Sequence, residues 1–525
     1  VSSPGSLPAS PNGPAARAFP PAGSPGSEAG ASGRALSPVV VEAGIQVMGG
    51  RAERDACPGA LRLHEAADGP LARIRVPGGR ISGAQLGTLR ELAAAWGDGH
   101  VELTSRANLQ LRALTGVPET RLADRLAAAG LLPSDTHELV RNIAASPLIS
   151  GRDAGLVREL DEALCADAGL AGLPGRFLFA IDDGAGDVAY AADVAALRLG
   201  TGGAGRFAML FAGRDVGLRV GRATVVSALL TAARAFLVQV EGAVATGARR
   251  SWRVRELTDG PGLLGRDTAR ALDITLGEVD PELRRPGVQE PIGVVPQGDG
   301  RVAVAALVPL GRLDDRQLRV LAGADELVFT PWRGVVLPGV APEAADEWLD
   351  ALAGAGLEVG AGSRWVGVTA CAGRPGCAKS LADVRHDADA ATVAGDGLPV
   401  HWVGCARGCG SPAAAHVRVE ATVGGYAVTV RSGSSAGRVS DGETTGNSTA
   451  RSAGDGTAGG GTGQSGRGDA TGTGRSAGGD ATDGSIGTGD GGTTGGVVRG
   501  DRLARAVAAA RRGSVDGSTA GTREG

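Results

Sequence analysis

The chain has 525 residues, 42% of them hydrophobic, with 53 basic and 57 acidic side chains, a formal charge of −4 and six cysteines. Its near-neutral balance, with no basic block, argues against a nucleic-acid or anionic-membrane partner held by bulk charge. No run approaches the ~18 consecutive apolar residues of a membrane span, the opening stretch lacks a signal-peptide layout, and the thiols are too sparse for a disulfide scaffold, so a cytoplasmic protein with metal-binding cysteines is expected.

Residues 1–50, rich in Pro, Ala, Gly and Ser, read as a disordered leader. A first repeat unit then occupies 51–120: Leu71–Gly79 (LARIRVPGG) is a strand running into a Pro-Gly-Gly loop. An amphipathic helix follows with Leu86, Leu89 and Ala93 on one stripe, then a second extended stretch, Val101–Leu114. A middle α/β domain spans 121–280, with helices expected in RLADRLAAAGLL and VVSALLTAARAFLVQV and strands in RFLFAID and RFAMLFAG. The same strand, Pro-x-Gly loop, helix and strand return in 281–345, from Arg301–Gly311 to Glu326–Val340, about 230 residues after the first copy. A helix (EAADEWLDALAGAGL) beginning at Glu343 leads into 346–431, which hold a strand (WVGVTA) and a terminal hairpin (AHVRVEATVGGYAVTV) around four cysteines. A Gly/Ser/Thr tract, 432–496, is too poor in apolar residues to offset its ordering entropy. The last segment, 497–525, regains helical spacing in Asp501–Arg512.

Chemistry concentrates in the cysteines. Cys371 and Cys377 form C-x5-C, and Cys405 and Cys409 form C-x3-C, with Gly373, Pro375, Gly376, Gly404, Gly408 and Gly410 among them. Small residues let thiolates converge and let backbone N–H groups face inorganic sulfide, which favours a [4Fe–4S] cluster. Structural zinc prefers closer pairs, and separate buried thiols are the third reading. Cys57 and Cys165 stand apart and read as single buried thiols. Lys379 is the only lysine and reads as a surface residue. No H-x-D or H-E-x-x-H arrangement locates a further iron. Of two G-x-G-x-x-G matches, the one at 461–466 has no strand before it, and the one at 184–189 (ending in Ala) follows a strand but leads into a second strand rather than the helix that a dinucleotide site needs.

With its cysteine spacing and duplicated halves, the chain resembles the nitrite/sulfite reductase superfamily from about residue 55 to 431. The resemblance implies an α+β fold of two ferredoxin-like half-domains plus two mixed α/β domains. The strings DACPGALRLHEAADGPLARIRVPGG and HWVGCARGCGSP are most similar to the precorrin-3B synthase family. That branch implies a monooxygenase that hydroxylates precorrin-3A with O2 and closes a γ-lactone. Its electrons would come from NADH through a reductase or ferredoxin. Siroheme belongs to the alternative reading, a nitrite or sulfite reductase, and a non-catalytic tetrapyrrole carrier is the third.

Arginine forks suit a polycarboxylate. The resemblance places Arg73, Arg75, Arg106, Arg141 and Arg176 where siroheme reductases hold tetrapyrrole carboxylates or the small anion, and Asn142 sits beside Arg141. Siroheme sulfite reductases usually carry Lys-x-Lys after a Leu-Pro. Here Leu173-Pro174 is followed by Gly175, Arg176, Phe177 and Leu178, so the second cation is a leucine, which is expected to disfavour sulfite or nitrite.

Overall fold

The computed structural model describes residues 57–149, 151–200, 205–281, 283, 290–412, 414–432 and 501–513. The expected leader, nearly all of the Gly/Ser/Thr tract and the glycine motif at 461–466 lie outside them.

In the first half-domain, β1 (Ala72–Ile74) runs into a 3-10 turn, Pro77–Gly79, and a short strand, β2 (Arg80–Ser82). Ser82 then starts α1 (Gly83–Trp96) with a capping box to Gln85, and Leu86, Leu89, Leu92 and Ala93 bury one face before Gly97 ends the helix. The hairpin β3 (Val101–Leu103) and β4 (Leu109–Leu111) and the helix α2 (Glu119–Ala128) complete it.

The middle region holds β5 (Ile143–Ala145), α3 (Gly155–Ala166), β6 (Phe179–Asp182), β7 (Val194–Leu199), β8 (Arg206–Phe211), β9 (Arg214–Gly221), α4 (Val225–Ala245) and α5 (Gly260–Ala271). Its sheet runs β5-β6-β7-β8-β9, parallel across the first three strands and antiparallel across the last three. Every residue of β6 is buried, as both faces are covered. Phe179 and Ile181 join the core beneath the helices, and Ala180 joins the opposite face with Leu178. By length and composition α4 alone among the described helices suffices to cross a membrane. It packs instead on α3, α5, β7 and β9, with Leu229, Ala232, Ala233 and Phe236 fully enclosed.

The second half-domain contains β10 (Gly293–Pro296), β11 (Val302–Leu307), the 3-10 turn Pro309–Gly311, β12 (Arg312–Leu313), α6 (Asp315–Leu321), β13 (Glu326–Phe329), β14 (Gly334–Val340) and α7 (Ala345–Gly354). Asp314 and Gln317 rebuild the capping box of Ser82 and Gln85. Beyond the sequence reading, the short strands are exchanged. β2 pairs with β13 of the second copy and β12 pairs with β3 of the first, giving sheets β1-β4-β3-β12 and β10-β11-β14-β13-β2. Arg80–Glu326 and Arg312–Asp98 ion pairs fasten the two exchanges, at 2.5 and 2.7 Å. Both copies therefore share one apolar core.

The final region carries β15 (Val368–Ala370), α8 (Val384–Ala391), β16 (Val400–Val403), β17 (His416–Thr422), β18 (Gly425–Arg431) and α9 (Asp501–Arg512). β15, β16 and β17 are parallel, and β18 returns antiparallel as the expected hairpin. The expected strand WVGVTA is shorter than its pattern, because Trp365–Gly367 form a turn with Val366 N–H donating to Ser363 O at 3.2 Å. α9 packs on β17 and β18, and Leu503 and Val507 fill their core.

Candidate functional site

Two adjacent parallel strands bring the cysteine loops together. Ala370 of β15 is level with Trp402 of β16, so Cys371 and Cys405 leave the same end of the sheet, where α/β proteins place their ligands. The Cys371 N–H donates to Trp402 O at 2.9 Å, and the Gly404 N–H donates to Cys371 Sγ at 3.2 Å. Gly404 has to be glycine, since a Cβ there would fall 1.8 Å from Ser380 Oγ. Ser380 N–H closes the first loop on Cys377 O at 3.0 Å, and Leu381 N–H donates to Gly404 O at 2.8 Å, holding the first loop against the second. Burial pushes the Cys409 thiol up, Arg407 lowers it, and Cys371, Cys405 and Cys377 raise it further, so all four sulfurs lie within electrostatic reach.

None of the six cysteines is in a disulfide. Among the described residues no three His, Cys, Asp or Glu side chains are gathered as for a single metal ion. Four thiols on two facing loops, with a backbone N–H aimed at one of them, suit an iron–sulfur cluster.

His401 holds the second loop. Its Nε2 lies 3.0 Å from Cys409 O, and a carbonyl only accepts, so Nε2 carries the proton and Nδ1 accepts from Thr369 Oγ1 at 2.8 Å. Burial pushes its pKa down to about 4, keeping the ring neutral. The first half-domain grips the other loop: Arg112 donates to both Asp68 carboxylate oxygens at 2.8 Å and to Gly376 O at 2.9 Å. A cavity of about 460 Å³ borders this contact, but its charges are largely paired internally, Arg112 with Asp68, Arg312 with Asp98 and Arg385 with Glu102.

The arginines expected from sequence separate into two groups. Arg75 is only 3% exposed; one guanidinium nitrogen donates to Pro58 O at 3.3 Å, while Nε and Nη1 have no partner among the described residues. Burial, then the charge of Arg73, pushes its pKa down to about 9. Arg106, in the turn between β3 and β4, is pushed down to about 10 by burial and then by Arg253. Arg73 rests on Gln110 Oε1 at 2.5 and 3.0 Å. Cys57 lies beside Arg75 and Arg106 and packs on Gly175, so it is half-buried within this cationic face rather than a remote core thiol. Arg176 is exposed and stacks on Trp252 at 4.6 Å.

Arg141 and Asn142 turn inward instead. Arg141 closes its fork on Asp161, with two bonds of 2.7 Å, and Asn142 donates to Leu139 O and Gly175 O while accepting from Asn108. Their bonding groups are taken up by the scaffold. Leu178 is also buried, packed against the apolar face of the middle sheet, with its N–H on Asp193. A side chain enclosed there is not poised over a ligand, so its being apolar says nothing against an anion.

Residues 64–129 and 295–355 match the nitrite/sulfite reductase ferredoxin-like half domain. The chain carries that half-domain twice. It is 30% identical over 298 residues to a ferredoxin–nitrite reductase of Synechococcus elongatus, covering 51% of this chain and 58% of that protein. A ferredoxin–nitrite reductase of Leptolyngbya laminosa is 32% identical over 126 residues, 21% of this chain and 24% of its own length. The chain thus spans under two thirds of the curated relatives it matches. The solved Mycobacterium tuberculosis NirA protein superposes with a TM-score of 0.55 at 19% identity, over 69% of this chain and 74% of that one, and shares the fold.

These findings overturn the expectation of a precorrin-3B synthase, and with it precorrin-3A, O2 and lactone chemistry, because the relatives are named as nitrite reductases. The two strings behind that expectation encode local architecture. One lays Cys57 and Pro58 beside Arg75, and the other carries His401 and the second cysteine loop.

Sequence reasoning missed Arg112, Arg253, Trp252, Arg333 and His401. Only Arg333 had a signal, since it stands one position beyond the match to Arg106 when the two repeats are aligned. The motif at 184–189 serves a carboxylate rather than a phosphate: the N–H groups of Gly184, Gly186, Val188 and Ala189 all donate to buried Asp182.

Proposed function

We propose that the chain is an iron–sulfur oxidoreductase of the nitrite/sulfite reductase type, acting on a small oxyanion, nitrite first, with electrons from a ferredoxin. The names of the relatives support the substrate and the donor. Cys371, Cys377, Cys405 and Cys409 would hold a [4Fe–4S] cluster, and Arg73, Arg75, Arg106 and Arg176 would face siroheme carboxylates or the anion. When bound, the cluster and siroheme supply single-electron transfer and a redox-active iron.

The observation that carries this reading is the guanidinium of Arg75, buried with Nε and Nη1 unpartnered among the described residues and pressed by Arg73 and Arg106. Glu138 acts on it from nearby but lies on the N–H groups of Ala60 and Leu61. Leaving a buried cation short of partners costs several kcal/mol, on the order expected for an incompletely paired interior ion, so the face is suited to receive an anion. Arg141 and Asn142 would stiffen the scaffold under it rather than touch the ligand.

The test is anaerobic preparation of the full chain from cells making siroheme, followed by iron, sulfide and tetrapyrrole analysis and an assay of nitrite reduction to ammonium with reduced ferredoxin. We expect about five irons to four sulfides, four in the cluster and one in siroheme, together with siroheme absorbance and nitrite-dependent oxidation of the donor. Cys409→Ser should remove both iron and sulfide. Wild-type protein without sulfide, or replete protein inert to nitrite and sulfite, overturns the reading.

A further inference from the structure

The second half-domain sends one cation towards the cysteine loops. Arg333 sits in the turn between β13 and β14 with a left-handed backbone, φ +70°, and its stem lies across Gly311, where a Cβ would fall 2.4 Å from Arg333 Cδ. A Cβ on Gly410, next to Cys409, would lie 3.8 Å from Arg333 Nη2 and 3.5 Å from His401 Cε1. The guanidinium therefore rests against the C-x3-C loop.

Around it stand Arg385, Glu102, Glu290 and His401. Glu102 is paired with Arg385 at 2.5 Å. Glu290 lies at Gly334 with Oε1 unpartnered among the described residues, and burial pushes its pKa up to about 8 even though Arg333 lowers it, so it is mostly protonated at neutral pH. His401 is neutral. Nearby charges thus leave the Arg333 guanidinium largely uncompensated, and arginine keeps its proton.

We propose that Arg333 sets the reduction potential of the cluster held by Cys371, Cys377, Cys405 and Cys409, raising it by fixing a positive charge against the Cys409–Gly410 loop. Reduction adds one electron from the external donor to the cluster, with no bond made or broken, and a nearby cation stabilises the extra negative charge. Arg333 is a positioning residue in this sense: it acts through the field at the cluster and touches no substrate. The inference rests on the cluster reading above.

The experiment is a redox titration of the anaerobically prepared full chain with dithionite, followed by electron paramagnetic resonance, alongside iron and sulfide analysis. Arg333→Gln is expected to lower the reduction equilibrium about tenfold, or 59 mV for a one-electron couple, at unchanged iron and sulfide. Arg333→Met, which keeps the stem over Gly311, should do the same if the glutamine variant fails to fold, and Arg333→Lys should titrate near wild type. Cluster-replete Gln or Met variants at the wild-type potential overturn the inference, as does loss of the cluster from all three variants, which would make Arg333 purely structural. Wild-type protein lacking iron and sulfide instead sinks the cluster reading beneath it.

Discussion

At the turn of each half-domain's last hairpin, Thr104 and Thr330 perform the same task. Each donates its backbone N–H to the carbonyl of Asn108 or Gly334, accepts the N–H of Ala107 or Arg333 on its own carbonyl, and accepts the N–H of Asn108 or Gly334 on its hydroxyl at 3.1 and 2.9 Å. Ala107 and Arg333 then take matching left-handed backbones, φ +57° and +70°. The side chains diverge. Arg73 of β1 and Arg75 just beyond it correspond to Ala305 and Leu307 of β11, and Arg106 corresponds to Trp332, whereas Ala107 corresponds to Arg333. One backbone plan thus carries a cluster of cations in the first copy and a single cation against the cysteine loop in the second. Duplication keeps what closes the turns and caps the helices, while the outward positions are free to change.

The contrast can be broken most sharply at the glycines that end each 3-10 turn, both left-handed. A Cβ on Gly79 would lie 2.0 Å from Phe329 O, a backbone atom of the other copy, while on Gly311 it meets only the flexible stem of Arg333. Gly79→Ala is expected to cost about 3 kcal/mol, from the left-handed penalty plus overpacking. Gly311→Ala is expected to cost about 1–2 kcal/mol. Urea unfolding midpoints at equal slope measure both.

A functional asymmetry should follow. Arg106→Gln is expected to raise the KM for nitrite about tenfold, the loss of one charged hydrogen bond, while Trp332→Phe at the matching position leaves it unchanged. Steady-state kinetics with reduced ferredoxin decide the point, and equal effects at both positions would erase the proposed division between the copies.

The shared features should respond alike. Ser82→Ala and Asp314→Ala each remove an N-cap and should each cost about 1 kcal/mol. A large difference in unfolding free energy would show that one box has taken on another role.

The smallest effect concerns pH at the strand exchange. Burial opposes ionisation of Asp98, but hydrogen bonds from His100 and Arg312 overcome it and hold its pKa down to about 2, against an ordinary 3.8. Its contribution is present above pH 3.8 and fades as pH falls through about 2. The hydrogen bond to Asp98 raises the His100 pKa above 6.5, so that contribution is present below pH 6.5 and is lost as pH rises through the folded value. Asp98→Asn should flatten both slopes in stability against pH, by a few tenths of a kcal/mol, as for a partly exposed pair.

The duplication and the cysteine spacing were legible in the sequence because each depends on residues near one another in the chain: a Pro-x-Gly turn, a pair of thiols in one loop. The capping boxes went unread, although a Ser or Asp three before a Gln is a local signal. The arginine face was partly legible, since Arg73 and Arg75 alternate on one strand and so share a side. Nothing local distinguishes Arg75, with two nitrogens unpartnered, from Arg141, whose fork closes on Asp161. That choice is made by a helix twenty residues away, and likewise the core around Leu178 decides that it cannot stand over a ligand.

The exchange of β2 and β12 between copies also belongs to the tertiary structure. Strands of two or three residues carry almost no periodicity, and their partners are chosen by the register across the interface. The sequence alone determined which short-range elements form and which thiols travel together. Only folding decided which charges are left uncompensated and where they point, because burial and pairing are set by residues hundreds of positions apart.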